Sequence, residues 1–201
     1  MDAFHSLEQQ KQQRIINAAL NEFARRGFRD ASTNAITQQA GISKGALFHY
    51  FGNKQKLYAY LMDHTRQQVQ TQLLDDFPGS DDLIEMFVLF SKRKAMLAKD
   101  YPLMFDFWYK AFQEQQENPH DSQMIRQTID RLNTLMSDRI DTSKLRPGID
   151  LPKAIEICTW LSEGFGRKYS QMNQQLDPDE LLTEADELFD TLRIMLYKED
   201  L

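Results

Sequence analysis

Apolar residues recur at intervals of three and four along most of the 201-residue chain, a spacing typical of α-helices that bury one face. Near the N-terminus, Ile15, Ala19 and Phe23 form one such stripe. Segments that alternate apolar and polar residues, as half-buried strands do, are absent from the sequence. Only eight glycines and six prolines interrupt it, which leaves room for long helices. The pattern predicts an all-α fold of about nine helices.

Helix-capping residues and chain breaks set the expected helix boundaries. We expect helices over approximately residues 7–26, 33–40, 44–51, 53–75, 81–99, 103–112, 121–140, 152–172 and 178–198. Ser32 or Thr33 begins the second of these helices, and Ser43 begins the third. Because the short turn AGIS, residues 40–43, joins two short helices, this segment is a candidate helix-turn-helix.

The formal net charge of the chain is −6 at pH 7, but the charge is unevenly distributed. Residues 1–60 contain eight Lys and Arg against four Asp and Glu, whereas residues 61–201 contain sixteen against twenty-six. A basic head on an acidic body indicates that only the head meets a polyanion. So small an excess of positive charge also fits an ordinary solvated surface.

The third expected helix has two different faces. Leu47 and Phe51 are four residues apart and face inward together with Ile42. The outward face offers a cation, small residues and flat rings, which suit the acceptors and thymine methyls of a major groove. Its members are Lys44, Gly45, Ala46, Phe48, His49 and Tyr50. Because glycine costs a helix interior about 1 kcal/mol relative to alanine, Gly45 indicates a close approach to another molecule.

The following helix opens with two lysines, Lys54 and Lys56, and has no Asp or Glu in its first turn. The N-terminal end of a helix favours anions, so a bound phosphate would resolve this conflict. The alternative is that both lysines are simply solvated, as exposed lysines commonly are.

Residues 33–57, TNAITQQAGISKGALFHYFGNKQKL, resemble the DNA-binding head of the TetR family of bacterial one-component regulators. The shared positions are the threonine that opens the second helix, the turn, the glycine, leucine and aromatics of the third helix, and the lysine that follows. In this sequence they are Thr33, Ala40, Gly41, Ile42, Ser43, Gly45, Leu47, Phe48, Tyr50, Phe51 and Lys54. Ala18, Phe23, Gly27 and Phe28 match the family's first helix. The resemblance covers about the first sixty residues, and the remainder is similar only as a helical body of suitable length.

The resemblance implies a role for each matched residue of the head. Thr33, Tyr50 and Lys54 would contact phosphates and fix the register on DNA. The bases would be approached by Lys44, Gly45, Ala46 and Phe48, with Asn34 as an additional reader and His49 turned toward the DNA backbone. The family often has tyrosine where Phe48 stands, so a hydrogen bond from this ring is lost while apolar contact with a thymine methyl remains.

The last two expected helices carry apolar bands that are wider than one neighbouring helix needs. Steps of three and four connect Leu181, Ala185, Leu188, Leu192 and Met195 in the final helix, and Ala154, Cys158, Leu161 and Phe165 in the helix before it. The resemblance implies that both helices pair with their symmetry mates in a four-helix dimer interface. The alternative is burial within one subunit.

Aromatic residues and methionines are concentrated between the head and this expected interface, most of all in the segment MFDFWYKAF, residues 104–112. Flexible thioethers and flat rings suit a pocket for an apolar or amphipathic molecule, and they equally suit an ordinary core. The candidate pocket residues are Phe90, Met104, Phe107, Trp108, Phe112 and Trp160. The resemblance implies that such a ligand would shift the two heads apart and weaken DNA binding.

The sequence offers no arrangement for catalysis, for a cofactor or for a metal. It lacks a phosphate-binding glycine loop and a metal-binding histidine pair, and its four histidines are scattered. No apolar run approaches the ~18 residues of a membrane span, and the N-terminus has no apolar signal core. The single cysteine, Cys158, fits a reducing cytoplasm.

We therefore expect a cytoplasmic, homodimeric transcriptional regulator that is not an enzyme. Its DNA-binding helix-turn-helix domain would occupy residues 1–52, and its ligand-binding and dimerisation domain residues 53–201. The resemblance favours a repressor that an apolar or amphipathic small molecule releases from a palindromic DNA operator. The alternative is a helical ligand-binding or scaffold protein that keeps the head without regulating transcription, and it would lack strongly salt-dependent DNA binding.

Overall fold

The computed structural model describes residues 2–114, 119–171 and 178–198. These ranges contain ten α-helices, one π-helical turn (Val69–Leu74) and one 3-10 turn (Thr142–Lys144). The helices are α1 (Asp2–His5), α2 (Gln9–Asp30), α3 (Thr33–Ala40), α4 (Lys44–Phe51), α5 (Lys54–Gln68), α6 (Leu83–Asp100), α7 (Met104–Gln113), α8 (Pro119–Ser137), α9 (Leu151–Gln171) and α10 (Pro178–Leu196). Within the described residues the only extended pairing is an isolated bridge between Leu145 and Tyr197. The predicted all-α fold is confirmed.

Most helix boundaries lie within a few residues of the predicted ones, because capping side chains set them. Ser32, Ser43 and Asn53 each accept a hydrogen bond from the backbone three residues later. α6 begins at Leu83, two residues after the predicted start at residue 81. There Asp82 Oδ1 accepts the N–H of Glu85 at 2.9 Å, and Ser80 Oγ instead accepts the N–H of Asp82 at 3.1 Å.

The first of two compact units comprises Met1–Thr71 and Leu97–Thr128. Buried aromatic rings fill its centre, where α2, α5 and α7 meet. The Tyr58 ring centroid lies 5.1 Å from that of Phe23 and 5.2 Å from that of Phe107, each pair edge to face. Trp108 Nε1 donates to Thr65 Oγ1 at 2.8 Å, so this buried indole has a hydrogen-bond partner. These contacts therefore join α7 to α2 and α5, the helices that precede and follow the helix-turn-helix in the chain.

The second unit comprises Gln72–Met96 and Ile129–Leu201. Its core is formed by apolar residues of α6, α9 and α10 together with Leu145 and Tyr197, the two residues of the isolated bridge. The buried members are Leu83, Ile84, Met86, Phe87, Leu145, Ala154, Cys158, Ala185, Phe189, Leu192, Leu196 and Tyr197. Burial raises the pKa of the Cys158 thiol to about 12, so this cysteine is an inert core residue.

A polar cluster ties the end of α10 to the start of α6 in this second unit. The Tyr197 hydroxyl donates to Asp82 Oδ1 at 2.9 Å and accepts the N–H of Ile84 at 3.1 Å. Arg193 lies 3.1 Å from Asp82 Oδ2. Burial alone would raise the pKa of Asp82, but the Glu85 N–H, the Tyr197 hydroxyl and the cations of Arg193 and Lys144 outweigh it and hold this pKa below its ordinary value.

Candidate DNA-binding surface

The two helices of the predicted helix-turn-helix are α3 and α4, and side-chain caps fix the start of each. Ser32 Oγ accepts the N–H of Ala35 at 3.4 Å, and Ser43 Oγ accepts the N–H of Ala46 at 3.1 Å. Gly41 ends α3 with a φ of 67°, in the left-handed region that glycine adopts without steric cost. This turn sends the chain from α3 into α4 after only three residues.

The inward face of α4 is as predicted. Leu47 and Phe51 are almost fully buried, and Ile36 and Ala40 of α3 are buried as well. These side chains hold α4 against the head by apolar contact and leave its other face available.

The outward face of α4 contains the residues that the sequence assigns to base contact. Lys44, Gly45 and His49 are exposed, whereas Ala46, Phe48 and Tyr50 are partly buried. The Lys44 ammonium lies 6.0 Å from the centroid of the Phe48 ring, so the cation and the apolar ring form one adjacent pair.

Gly45 has space around it in the head itself. A Cβ added there would lie 3.9 Å from Ser43 Oγ, its nearest neighbour, which is an ordinary van der Waals distance. The fold therefore does not require glycine at this position of α4.

At the start of α3, Thr33 is partly buried and the neighbouring Asn34 is exposed. Both positions follow the Ser32 cap, where unpaired backbone N–H groups of a helix point outward and favour an anion. The first turn of α3 therefore combines a hydroxyl, an amide and a helix N-terminus.

Lys54, the predicted phosphate contact at the start of α5, makes contacts within the head. Its ammonium donates to the carbonyl oxygens of Arg29 and Ala31 at 3.0 and 3.1 Å, and it lies 5.0 Å from the Phe28 ring centroid. An ammonium has three N–H groups, so one remains for a further partner. Lys56, in the same turn of α5, is exposed.

Glu114, which the sequence analysis did not single out, contacts the kink at Gly27 near the end of α2. Its Oε2 accepts the N–H of Phe28 at 3.0 Å, and its Oε1 lies 3.6 Å from Lys110 Nζ. Gly27 has φ 74° and ψ 175°, and a Cβ added there would collide with the Glu114 carboxylate. The sequence gives no signal for this contact, because 86 residues separate its partners.

A second feature that the sequence analysis missed is α1, which contacts α4. Its Phe4 is fully buried although it lies four residues from the N-terminus. A single aromatic residue within a polar segment has no helical periodicity that could have predicted this packing.

The six predicted pocket residues are distributed over both units. In the first unit Met104, Phe107 and Trp108 are buried and Phe112 is partly buried. In the second unit Phe90 is partly buried, whereas Trp160 is 61% exposed. Phe107 and Trp108 contact neighbours in the core of the first unit, and the pocket assignment of all six stays a prediction.

The predicted dimer residues also divide into two groups. Ala154, Cys158, Ala185 and Leu192 are buried in the core of their own unit. Phe165 and Leu188 are partly buried, while Leu161 is 37% and Met195 61% exposed. The side chain of Leu181 lies outside the described residues. The exposed members leave an apolar face on α9 and α10.

The fold and this surface define a class, that of helix-turn-helix DNA-binding regulators with a helical body. Residues 15–61 match the family described as "Bacterial regulatory proteins, tetR family". The chain is 23% identical over 149 residues to the fatty acid metabolism regulator protein of Bacillus subtilis (strain 168), covering 73% of this chain and 77% of that protein. It is 30% identical over 79 residues to the HTH-type transcriptional regulator UidR of Escherichia coli (strain K12), covering 39% of this chain and 40% of that protein.

Solved structures share the fold over nearly the whole chain. The ketosteroid transcriptional regulator KstR2 of Mycobacterium tuberculosis matches with a TM-score of 0.72 and 15% identity, over 96% of this chain and 98% of that chain. A TetR family transcriptional regulator from Chloroflexus aurantiacus J-10-FL matches with a TM-score of 0.60 and 22% identity, over 99% of each chain. The family match covers the head of the chain, residues 15–61, and the solved structures show that the whole chain has the fold of TetR-family transcriptional regulators. Among the described helices, none is both long and apolar enough to cross a membrane.

Proposed function

We propose that the chain is a homodimeric repressor that binds a near-palindromic DNA operator and is released from it by an apolar or amphipathic small molecule. The observation that carries the DNA-binding part is the outward face of α4, with a glycine that the head itself does not require. A glycine that weakens a short helix without a packing reason is explained when another molecule approaches its backbone.

In this proposal α4 enters the major groove and is the recognition helix. Lys44, Gly45, Ala46 and Phe48 approach base edges, with Asn34 as an additional reader. Thr33, His49 and Tyr50 lie toward the DNA backbone. Two such helices in a dimer would meet half-sites about 34–36 Å apart, or at a similar spacing set by the turn of the duplex.

Lys54 would have a double role at the DNA backbone. Two of its N–H groups hold the carbonyl oxygens of Arg29 and Ala31, and the third would reach a phosphate. The exposed Lys56 would add a second charge at the same helix N-terminus, where the dipole favours an anion.

The dimer interface would be the apolar face of α9 and α10. Trp160 and Leu161 lie exposed on α9, and Ile194 and Met195 are 72% and 61% exposed on α10. Monomeric proteins seldom leave several large apolar side chains of adjacent helices in water. An interface with a second copy would cover these side chains.

Two further observations support a second copy as the occupant of this face. Lys168 Nζ of α9 lies 3.1 Å from Glu184 Oε2 of α10. Leu161 lies in the same row of α9 as Lys168, and Leu188 lies in the same row of α10 as Glu184. The ion pair therefore indicates that these two rows run side by side. Gly164 in the α9 row has no atom within 4 Å of an added Cβ. Its own chain does not require a glycine there, whereas a closely crossing helix of a second copy would.

The proposed effector class rests on the aromatic and methionine content of the body and on the names of relatives. One relative is a fatty acid metabolism regulator, and one structural neighbour is a ketosteroid transcriptional regulator. NalD of Pseudomonas aeruginosa, another neighbour, is the secondary repressor of a multidrug efflux pump. Fatty acids and steroids are predominantly apolar molecules with a few polar groups, as a pocket of rings and thioethers would select.

The decisive experiment is selection of bound duplexes from a random pool at defined salt, with sequencing of the recovered DNA. We expect a near-palindrome, and an affinity that falls steeply with salt because several phosphates are neutralised. Recovery of no motif would favour a helical ligand-binding or scaffold protein. Before accepting that result, denaturing extraction and mass spectrometry should show that no co-purified apolar molecule holds the protein in its released state.

A further inference from the structure

We propose that α1 positions the recognition helix, and that Phe4 is the residue through which it does so. The inference rests on the proposed DNA-binding function of α4. The proposal concerns a segment that lies outside residues 15–61, the part of the chain that matches the family. It assigns to Phe4 an effect on DNA affinity that requires no contact with DNA. The carrying observation is a fully buried aromatic side chain in the four-residue helix α1.

Phe4 fills the space between α4 and α5. Its ring centroid lies 4.8 Å from that of Phe51, 5.4 Å from that of Tyr60 and 6.1 Å from that of Tyr50. Phe51 is the inward anchor at the end of α4, and Tyr60 lies on α5. Phe4 therefore covers the side of Phe51 that would otherwise face water, and it fixes the last turn of α4 against α5.

Hydrogen bonds secure the segment that presents Phe4. The Leu7 N–H donates to the Phe4 carbonyl at 3.1 Å, and the Gln12 side chain donates from α2 to the Leu7 carbonyl at 2.8 Å. The Ser6 hydroxyl donates to the Ala3 carbonyl at 3.0 Å. A four-residue helix is not stable alone in water, so the contacts of α1 with the head are what maintain it.

The effect on DNA binding would pass through Tyr50. This partly buried tyrosine is the proposed phosphate contact at the end of α4, and its ring has Phe4 on one side and His49, at 5.8 Å, on another. α4 has only eight residues, and Leu47 and Phe51 are its buried anchors. Without Phe4, Phe51 loses one wall of its site, and the turn with His49 and Tyr50 gains freedom that DNA binding must remove.

The charge of the segment argues against a direct role in the DNA groove. Residues 1–10 contain Asp2 and Glu8 and no lysine or arginine. An N-terminal arm that entered a groove would need cations to offset the phosphates. The segment therefore acts by packing on the protein side of α4.

The test compares Phe4→Ala with the parent and with Phe4→Leu, using a duplex recovered by the selection experiment. At a temperature well below the melting point of each variant, Phe4→Ala should bind at least tenfold more weakly than the parent. Its slope of log affinity against log salt should stay close to the parent's, because a hydrogen bond from a hydroxyl neutralises no phosphate and releases no counterion. Phe4→Leu, which keeps an apolar side chain in the site, should recover most of the affinity.

A control separates positioning from general loss of stability. Leu83→Ala removes a buried side chain from the core of the second unit and should lower the melting temperature without changing affinity below it. Hydrogen exchange read by mass spectrometry supplies an independent readout. In Phe4→Ala, the peptide that covers α4 should exchange faster while peptides from α2 keep their protection.

The outcomes are distinguishable. If the parent binds duplexes and Phe4→Ala binds them equally well, the positioning role of Phe4 is wrong while the proposed function stands. A chain that lacks residues 2–6 and binds as tightly as the full chain would overturn the inference in the same way. If the parent binds no duplex under any condition, the proposed function fails and the role of Phe4 in DNA binding fails with it.

Discussion

At the scale of single residues, Gly45 has room for a side chain that it does not carry. We expect Gly45→Ala to stabilise the protein by up to about 1 kcal/mol, because alanine is the better helix former. The same methyl group would stand between α4 and the base edges, so affinity for the selected duplex should fall at least tenfold. Denaturant unfolding and equilibrium DNA binding measure the two effects. A variant that is more stable and binds DNA as the parent does would contradict the close approach of α4.

Gly27 is required for a different reason, since its φ of 74° with ψ of 175° is a conformation restricted essentially to glycine. Gly27→Ala would also drive its Cβ into the Glu114 carboxylate. We expect a loss of about 2 kcal/mol or more in the free energy of unfolding. Gly41→Ala is the matched control, because Gly41 is left-handed but has open space, and it should cost only about 1–2 kcal/mol.

The double variant Gly27→Ala/Glu114→Ala separates the backbone strain at residue 27 from the steric collision of its Cβ with the Glu114 carboxylate. Removing the carboxylate should recover part of the loss, so the two single losses should not add. If denaturant unfolding shows that the two single losses in free energy of unfolding add, the Glu114 side chain moves away from the new Cβ without an energetic cost.

Lys54 illustrates what the sequence can and cannot indicate about one residue. The motif and the helix N-terminus correctly placed a lysine in the first turn of α5. They did not predict that its ammonium would hold the carbonyl oxygens of Arg29 and Ala31. A lysine side chain has four rotatable bonds, and its direction depends on neighbours that are distant in sequence.

At the scale of elements, His64 on α5 makes a polar contact with the chain between α6 and α7, where its Nε2 lies 3.0 Å from the Tyr101 hydroxyl. Burial lowers the pKa of His64, the nearby Asp63 partly opposes this shift, and His5 adds to it. Tyr60 stacks on the imidazole, and burial raises the pKa of Tyr60 to about 12, so it is uncharged at neutral pH. His64 is therefore neutral in the folded protein over a range in which it binds a proton when unfolded.

The sign of the pH dependence follows from this difference. The unfolded chain binds more protons at His64, so its contribution to stability is present above about pH 6.5 and is lost as the pH falls through the lowered folded pKa. We expect His64→Gln to be less sensitive to acid than the parent between pH 7.5 and 5. Urea unfolding at several pH values tests this expectation, and parallel stability curves for the two proteins would refute it.

The end of α10 depends on one hydroxyl group. Tyr197→Phe would remove the donor to Asp82 Oδ1 and would leave the Ile84 N–H without its acceptor. Because both groups are buried, we expect a loss of about 1–3 kcal/mol in the free energy of unfolding. Tyr109→Phe, at a position that is half exposed, is the control and should change stability by less. Equal losses in the two variants would mean that the Asp82 cluster does not hold the end of α10.

Element boundaries were predictable where a capping side chain marks them, as at Ser32, Ser43 and Asn53. Other elements were not, among them α1 and the π-helical turn. α1 exists because tertiary contacts bury Phe4, and four residues are too few to show a helical period. The π-helical turn Val69–Leu74 continues the apolar pattern of α5, and a change from α to π spacing over one turn leaves no distinct signal.

At the scale of the whole molecule, the fold and the DNA-binding head could be predicted, whereas the pocket could not. The helical period and the turn at residues 40–43 carry local information, and both are confirmed. Rings and thioethers at Met104, Phe107 and Trp108 fit a core and a pocket equally well, and only three-dimensional packing distinguishes the two. The same ambiguity applies to Ala154 and Cys158, for which the resemblance implied a place in a dimer interface and which are buried in their own unit.

The oligomeric state is the property of the whole molecule on which operator recognition depends. Leu161→Glu would place a charge at the centre of the proposed face of α9 and α10, next to Trp160 and Gly164. Burying an unpaired carboxylate there should weaken dimerisation at least a hundredfold, and sedimentation equilibrium would measure the change. Met96→Glu is the control, because Met96 is 67% exposed on α6 outside this face, and it should leave the dimer intact.

Operator binding should follow the dimer in these variants. A monomer can occupy only one half-site, so Leu161→Glu should lose the preference for a complete palindrome over a single half-site, which the parent and Met96→Glu should keep. The result has a structural reason: one α4 provides one set of base contacts, and the second set is supplied only when two copies are held at the spacing of successive major grooves. If Leu161→Glu remains dimeric and keeps its preference for the palindrome, the second copy must dock elsewhere, and the exposed apolar face of α9 and α10 would need another occupant.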